Sequence, residues 1–569
     1  MIQSRPPGAA ASLPASTSQA IPKGLSGFLQ GAVSSAGALA ERWSELLLTA
    51  GVATQSLLRS RRARVLLSGA TLLLSGCDLE WNKPDLAVPP PERLRESRPA
   101  SAKPIPRGPD FAVKFGSKEL TKLVESAVGE NLDIAAAAAR ITQADAQARV
   151  SSAALWPNIS MQDIARTSRV PGTTTNVASA GSNITPASTS TGSSSQQTTA
   201  TNFRAREFGF FQLGLTASYE IDFWGKNEDA SYAARLLANA SRFNRDTVEI
   251  STIASVLNAY FQVLTAQDRL RIAHNNVAIA ERVNRAIQAR FQVGVASALD
   301  TAQQESVLAQ ALATIPPLEQ TLRQTKNQLA VLIGETPESV EIRGGSLTKL
   351  RFPRVDPGLP SEVLLRRPDV AEAEARLASQ EFSVLQARAA FFPSITLTGQ
   401  YGVQSALLHN LLRPEAIAWQ AAANLAQPIF DGFNIQGNYE QQKGRFTELA
   451  ALYRKQILTA LADTENALIA VRETEAALKA QTVAAAAAQR ALTAAEMRLQ
   501  EGTIDIITLS TTQTTLFQAQ DQLAVTRLTY FQAATSLYQA LGGGWSPTTR
   551  DVEIAQANAA YEADKGIFP

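Results

Sequence analysis

The chain has 569 residues, 45% of them hydrophobic and only 18% charged, below the ~25% charged content of typical soluble proteins. Its 53 Lys and Arg against 51 Asp and Glu leave a net charge of +2, which gives no electrostatic case for a nucleic-acid partner. A single cysteine, Cys77, excludes an internal disulfide, and two histidines, His274 and His409, leave little room for a His-rich metal site. No metal spacing, nucleophile with a base, or Gly-rich phosphate loop is present, which argues against an enzyme.

Residues 1–58 are rich in Ala, Ser, Gly and Pro. Arg59, Arg61, Arg62 and Arg64 then precede an apolar run from Val65 to Gly76. A basic region, a short apolar run and small residues before a break describe a secretory signal. The run falls short of the ~20 residues that span a bilayer. Leu74-Ser75-Gly76-Cys77 resembles the bacterial lipobox, in which the cysteine is acylated and becomes the mature N-terminus. Two features are unusual. The length before the arginines suggests translation from near Val52, Leu57 or Leu58, and Asp78 resembles the inner-membrane retention signal of enteric bacteria.

Pro84 to Pro109 reads as an extended linker. Leu120, Leu123, Val124 and Val128 place an apolar stripe on a helix over Lys118–Ala153, which Trp156-Pro157 ends. Next the period changes to two. Phe211, Leu213, Leu215, Ala217, Tyr219 and Ile221 alternate with polar residues, the mark of a half-buried strand. A partner near Asn158–Ile164 completes a hairpin around residues 171–202, almost wholly Thr, Ser, Gly, Ala, Asn and Gln and expected as an exposed loop. From Lys226 to Val293 there is neither proline nor glycine, and Ile253, Leu257, Tyr260 and Leu264 recur at helical spacing. Such a helix spans roughly 100 Å, too long for a compact domain. With Arg269, Arg271, Glu281 and Arg282 in it, it suits a coiled coil rather than lipid. It ends at Gly294, and a return helix over 298–332 follows, kinked by Pro316-Pro317.

The chain then says the same thing again. Phe391-Phe392-Pro393 repeats Trp156-Pro157; Ile395, Leu397, Tyr401 and Val403, with Trp419–Ile429, repeat the hairpin. Arg290 and Gly294 return 208 residues later as Arg498 and Gly502, after a second long helix over Phe433–Glu501. Two internal repeats follow. The expected divisions are 1–76 (extension and signal), 77–117 (acylated linker), 118–334 (first repeat), 335–358 (a connector wrapping the outside), 359–542 (second repeat) and 543–569 (tail). Trp156, Phe223, Trp224, Phe391, Phe392, Phe430 and Phe433 cluster at the strand bases and suit a membrane-interface girdle.

Four strands cannot close a membrane barrel, whose single-chain forms begin at about 8 strands, and open edges are not tolerated in lipid. Three copies would supply 12 strands above a helical tube about 100 Å long, the geometry of a conduit. At this point the chain resembles the TolC-like outer-membrane factor family, in the lipoprotein (NodT-type) branch of resistance-nodulation-division (RND) efflux systems. The residues that carry the resemblance are Leu359-Pro360-Ser361-Glu362-Val363-Leu364-Leu365-Arg366-Arg367-Pro368-Asp369-Val370 with Glu372 and Glu374. Leu332-Ile333-Gly334, Ala390-Phe391-Phe392-Pro393 and Gln427-Pro428-Ile429-Phe430-Asp431-Gly432 also match, and the likeness covers about residues 110–545.

The resemblance implies a mixed α and β membrane protein: a trimeric 12-stranded outer-membrane β-barrel continued by an α-helical coiled-coil periplasmic tunnel. It implies a homotrimer lodged in outer-membrane lipid, a periplasmic adaptor (membrane fusion protein), an inner-membrane RND transporter, and no cofactor beyond a covalent lipid at Cys77. By resemblance, the adaptor meets helix-tip turns matching Arg290, Gly294, Ser297 and Leu299 in the first copy and Arg498 and Gly502 in the second. Asp505 and neighbouring carboxylates would line the closed aperture and bind cations, or Asp505 would be a solvated cap. Local chemistry offers other roles: the glycines permit a tight reversal, and the arginines complement helix C-terminal dipoles. The runner-up function is the outer-membrane channel of a type I protein-secretion system, which the lipobox and the 359–370 signature disfavour.

Overall fold

The computed structural model describes residues 81, 83–89, 91, 93, 95, 108–170, 206–353 and 360–547, and the chain divides into units 1–83 and 84–569. The signal segment, Cys77, the 171–202 loop, Leu359 and the tail from residue 548 lie outside the described residues. Within the second unit the helices are α1 (Gly108–Val113), α2 (Lys118–Glu130), α3 (Leu132–Ser152), α4 (Lys226–Gln292), α5 (Ala298–Ala313), α6 (Ile315–Leu332), α7 (Pro360–Leu365), α8 (Pro368–Ala389), α9 (Asn434–Gln500) and α10 (Ile506–Ala540). The strands are β1 (Asn158–Val170), β2 (Arg206–Ile221), β3 (Ser394–Ser405) and β4 (Ile417–Ala426).

The two long helices, α4 and α9, each hold 67 residues, and the second begins and ends 208 residues after the first. Both are entered through a left-handed residue, Gly225 at φ 75° and Phe433 at φ 67°. Among the described residues Phe433 is the one non-glycine with positive φ. The helix expected over Lys118–Ala153 is two helices. Asn131 ends α2 by donating its N–H to Ala127 O and starts α3 by accepting at Oδ1 from Asp133 N (2.8 Å) and Ile134 N (3.0 Å). A short side chain that satisfies backbone donors competes with helix continuation. The same Asn131 donates Nδ2 to Leu332 O at 2.8 Å, so the Leu332-Ile333-Gly334 turn packs against this break. A Cβ on Gly334 would lie 2.4 Å from Glu130 O, which is why glycine stands there.

The largest core gathers where α1, α2, α4, α10 and the connector meet. Phe111 and Phe115 of the expected linker edge are fully buried, and Phe111 stacks on Tyr538 at 4.2 Å. Burying two aromatic rings is what orders α1 out of a proline-rich stretch. The connector has anchors of the same kind. Ile342 and Leu347 are buried, and Asp268 of α4 accepts from Leu347 N and Ser346 Oγ, both at 3.0 Å. Residues 335–339, 343 and 348–349 around these anchors are exposed.

The four strands form one antiparallel sheet in the order β1-β2-β3-β4. β1 and β2 extend further than the alternation alone marks, to Val170 and from Arg206. β4 stops at Ala426, before Pro428, which has no N–H for a ladder. Met161, Leu215, Tyr401 and Trp419 stand side by side across all four strands, and all are exposed. One residue along, on the other face, the row reads Ser160, Thr216, Gln400 and Gln420. One face is apolar and unburied by the chain; the other is polar and uncharged in its middle. That is the alternation of a membrane barrel with a wet interior. Among the described residues no helix is long and apolar enough to cross a membrane.

The two faces make opposite predictions for one charge. Tyr401→Arg, on the apolar face, should cost about 2–4 kcal/mol and cut the yield of folded, heat-modifiable protein in the outer membrane. Gln400→Arg, its neighbour on the polar face, should fold near normally; equal yields would refute the assignment of faces.

Candidate functional site at the two glycine turns

α4 and α9 reverse direction through the same backbone construction. Gly294 sits at φ 78° and Gly502 at φ 75°, a left-handed conformation that lets the last helical carbonyls find donors. In the first turn Val295 N donates to Arg290 O at 2.9 Å; in the second Thr503 N donates to Arg498 O at the same distance. A Cβ at either glycine would meet nothing within 4 Å, so backbone conformation and not crowding selects the residue. The next helix is capped at the matching position in each copy. Ser297 Oγ accepts from Asp300 N at 3.2 Å while Asp300 Oδ2 accepts from Ser297 N at 2.7 Å, a reciprocal capping box. Asp505 Oδ1 accepts from Thr508 N at 2.8 Å. Hydrogen bonds from the Thr508 side chain and backbone hold the Asp505 carboxyl below the usual carboxylate range.

The two arginines, equivalent in sequence, have different employment. Arg290 is half-buried, and its Nη1 donates to Leu499 O at 2.9 Å, so it caps the C-terminus of the other long helix. Eight residues earlier Arg282 pairs with Glu496 at 2.7 Å, a second tie between α4 and α9. Arg498 is exposed and has no side-chain partner among the described residues. Beneath the turns Val283, Ile287, Leu492, Ile506, Leu509 and Leu516 form a small separate core. Above it Phe291, Val293, Val295, Leu299, Met497 and Ile507 remain exposed. The tip is thus a capped bundle end with an apolar crown and one uncommitted guanidinium.

The sequence reading singled out Arg290, Gly294, Ser297, Leu299, Arg498, Gly502 and Asp505, and the structure brings all of them to this end of the bundle. It did not single out Met497 and Ile507, which complete the apolar crown; their only signal is being large apolar residues beside a glycine turn. Nor did it see the Arg290–Leu499 and Arg282–Glu496 ties; the first lies within one residue of the 208-residue offset, whereas the second is 214 residues apart. Elsewhere, His274 is exposed on α4, and His409 lies in the turn between β3 and β4. Glu372 pairs with Arg376 at 2.7 Å and accepts from Asn244. Among the described residues no group of side chains could hold a metal ion.

An amphipathic sheet with an unburied apolar face, continued by two long helices that end in capped turns, is the architecture of a membrane channel with a helical duct. The chain belongs to the outer membrane efflux protein family, whose family model matches residues 123–335 and 359–543. It is 36% identical over 437 residues to the pyoverdine export outer membrane protein OpmQ of Pseudomonas aeruginosa, covering 76% of this chain and 86% of that protein. It is 29% identical to the probable efflux pump outer membrane protein TtgC of Pseudomonas putida, over 88% of this chain and 99% of the relative. The open-state structure of the Neisseria gonorrhoeae MtrE outer membrane channel superposes with a TM-score of 0.69 at 26% identity, covering 82% of this chain and 98% of MtrE. The chain is therefore an outer-membrane efflux channel of TolC-like fold, with a helical tunnel and a barrel built from repeats.

Removing a shared tie should loosen one turn and not the other. Arg290→Ala should cost about 1–2 kcal/mol locally and speed amide hydrogen exchange over residues 499–503, because a carbonyl bonded by a charged donor is left open. Arg498→Ala should leave exchange at Gly294 and Val295 unchanged. Equal acceleration of both turns by both variants would contradict the asymmetry.

Proposed function

We propose that three copies of this chain close a 12-stranded barrel and form the exit duct of a tripartite RND-type pump for small toxic molecules, without catalytic chemistry of its own. The observation that carries this reading is the sheet. Its β1 and β4 edges have no partner within the chain among the described residues, and its apolar face is uncovered. Open edges in lipid are untenable, so neighbouring copies must supply the missing pairs. Because β1 and β4 run antiparallel in the order given, head-to-tail addition of identical sheets continues the ladder and closes a ring.

At the other end, the glycine turns present the apolar crown and Arg498 to a periplasmic adaptor bridging to the inner-membrane transporter. Among the described residues Arg498 has no side-chain partner, while Arg290 ties the two turns together. Asp505, ionised across the physiological range, is positioned beside that surface as a helix cap and as a candidate lining group of the aperture. A lipid on Cys77 would add a membrane anchor. The names of relatives cover pyoverdine export, toluene efflux and cation efflux. A duct whose polar sheet face is uncharged in its middle imposes little selection, and cargo is then chosen by the pump. A type I secretion channel is the alternative.

Two experiments test this reading. Arg498→Glu should lower drug resistance several-fold while channels still reach the outer membrane; unchanged resistance would remove Arg498 from the docking surface. Cys77→Ser should abolish metabolic labelling by palmitate, and persistent labelling would sink the lipid anchor.

A further inference from the structure

Partway along α4, a cavity of about 650 Å³ opens between α4, the α5–α6 break and α10. The break explains the space. Pro316 and Pro317 have no N–H to return to the preceding turn, and their rings push that turn away. α5 accordingly ends at Ala313 and α6 restarts at Ile315, whereas α10 in the second copy runs unbroken from Ile506 to Ala540.

Much of the polar wall offers hydrogen-bond acceptors, beside the amides of Gln310 and Gln518. Asn276 lines the cavity, is only 6% exposed, and its Oδ1 has no hydrogen-bond partner among the described residues. Leaving a buried amide oxygen orphaned is unfavourable unless something donates to it. Thr314, Thr321 and Thr514 also line the space, and each donates its hydroxyl hydrogen back to its own helix, at 2.7, 2.8 and 2.9 Å. Each therefore turns only lone pairs to any guest. Pro317 leaves the carbonyl of Ala313 without its helical N–H. The wall's cation is already engaged: Arg269 donates twice to Asp521, at 2.6 and 3.0 Å. Beside these groups Ile272, Leu318 and Phe517 supply apolar surface.

We propose that this cavity binds a small amphipathic organic cation, with its ammonium donating to Asn276 and the threonine oxygens and its apolar body against Phe517 and Leu318. An ammonium brings three donors and no acceptor, which is the complement of a wall rich in lone pairs. The outer lone pairs of the Asp521 carboxylate add a favourable charge at the rim. The volume lies within the ~300–1,000 Å³ of sites for drug-sized ligands. The site is separate from the tip turns and does not depend on what docks there.

The test uses the full-length channel in lipid nanodiscs, with empty nanodiscs as reference, titrated with dansylcadaverine and read by fluorescence polarisation. The expected result is saturable binding at one site per chain, weakened about tenfold by Asn276→Leu and roughly threefold by Thr314→Val. Thr503→Val, in the second turn, should bind like the parent. Asn276→Leu removes an orphaned buried amide, so its melting temperature should not fall, which separates loss of the site from loss of the fold. No saturable binding above empty nanodiscs overturns the proposal, as does parental affinity in both cavity variants. Equal affinity for dansylamide, which has the ring system but no ammonium, overturns the cation assignment.

Discussion

The rest of this structure depends on an unmet demand for backbone hydrogen bonds. A four-stranded sheet has two outer edges, and lipid offers neither donor nor acceptor to them. Everything the sheet displays is consistent with being part of a larger closed sheet. Its central rows alternate between faces, from Met161-Leu215-Tyr401-Trp419 to Ser160-Thr216-Gln400-Gln420, although Asp163 interrupts the apolar face. Its middle rows carry no charge on the polar face. The same demand explains why each chain has two hairpins with two long helices, since each strand pair hands over to one helix of the duct.

The two repeats share a backbone plan and differ where function needs asymmetry. Both long helices have the same length, both are entered through a left-handed residue, and both leave through a glycine of positive φ followed by an N-cap. Against that symmetry, Arg290 is folded inward onto Leu499 O while Arg498 points to no partner among the described residues. Pro316-Pro317 breaks the return helix of the first copy alone. A duplicated frame thus supplies two helices of equal length, and unequal details supply a tie, a guanidinium without a side-chain partner among the described residues, and a cavity.

Much of this was legible in the chain. Absence of proline and glycine from Lys226 to Val293 announces a helix because no residue within it can stop one. Alternation at Phe211–Ile221 announces a strand because the pleat has a period of two. The glycine turns were legible through their 208-residue return. What escaped is what depends on distant partners. Asn131 looks like an ordinary polar position in a helical pattern until Leu332 O arrives to accept its Nδ2. Phe111 and Phe115 lie at the edge of a proline-rich stretch and become core only because Phe261, Phe531 and Tyr538 stand opposite. Arg290 and Arg498 are indistinguishable by position, and only the packing of α4 against α9 separates their roles. Phe433 in a left-handed conformation was equally invisible, since Gly432 beside it would be the expected choice.

The account stands on closure of the sheet by neighbouring copies, and the number of chains in the particle tests it most directly. Native mass spectrometry of channels extracted from the outer membrane should find three chains of this protein in each particle, giving 12 strands in all. A particle of one or two chains, leaving strand edges unpaired in lipid, would contradict the account.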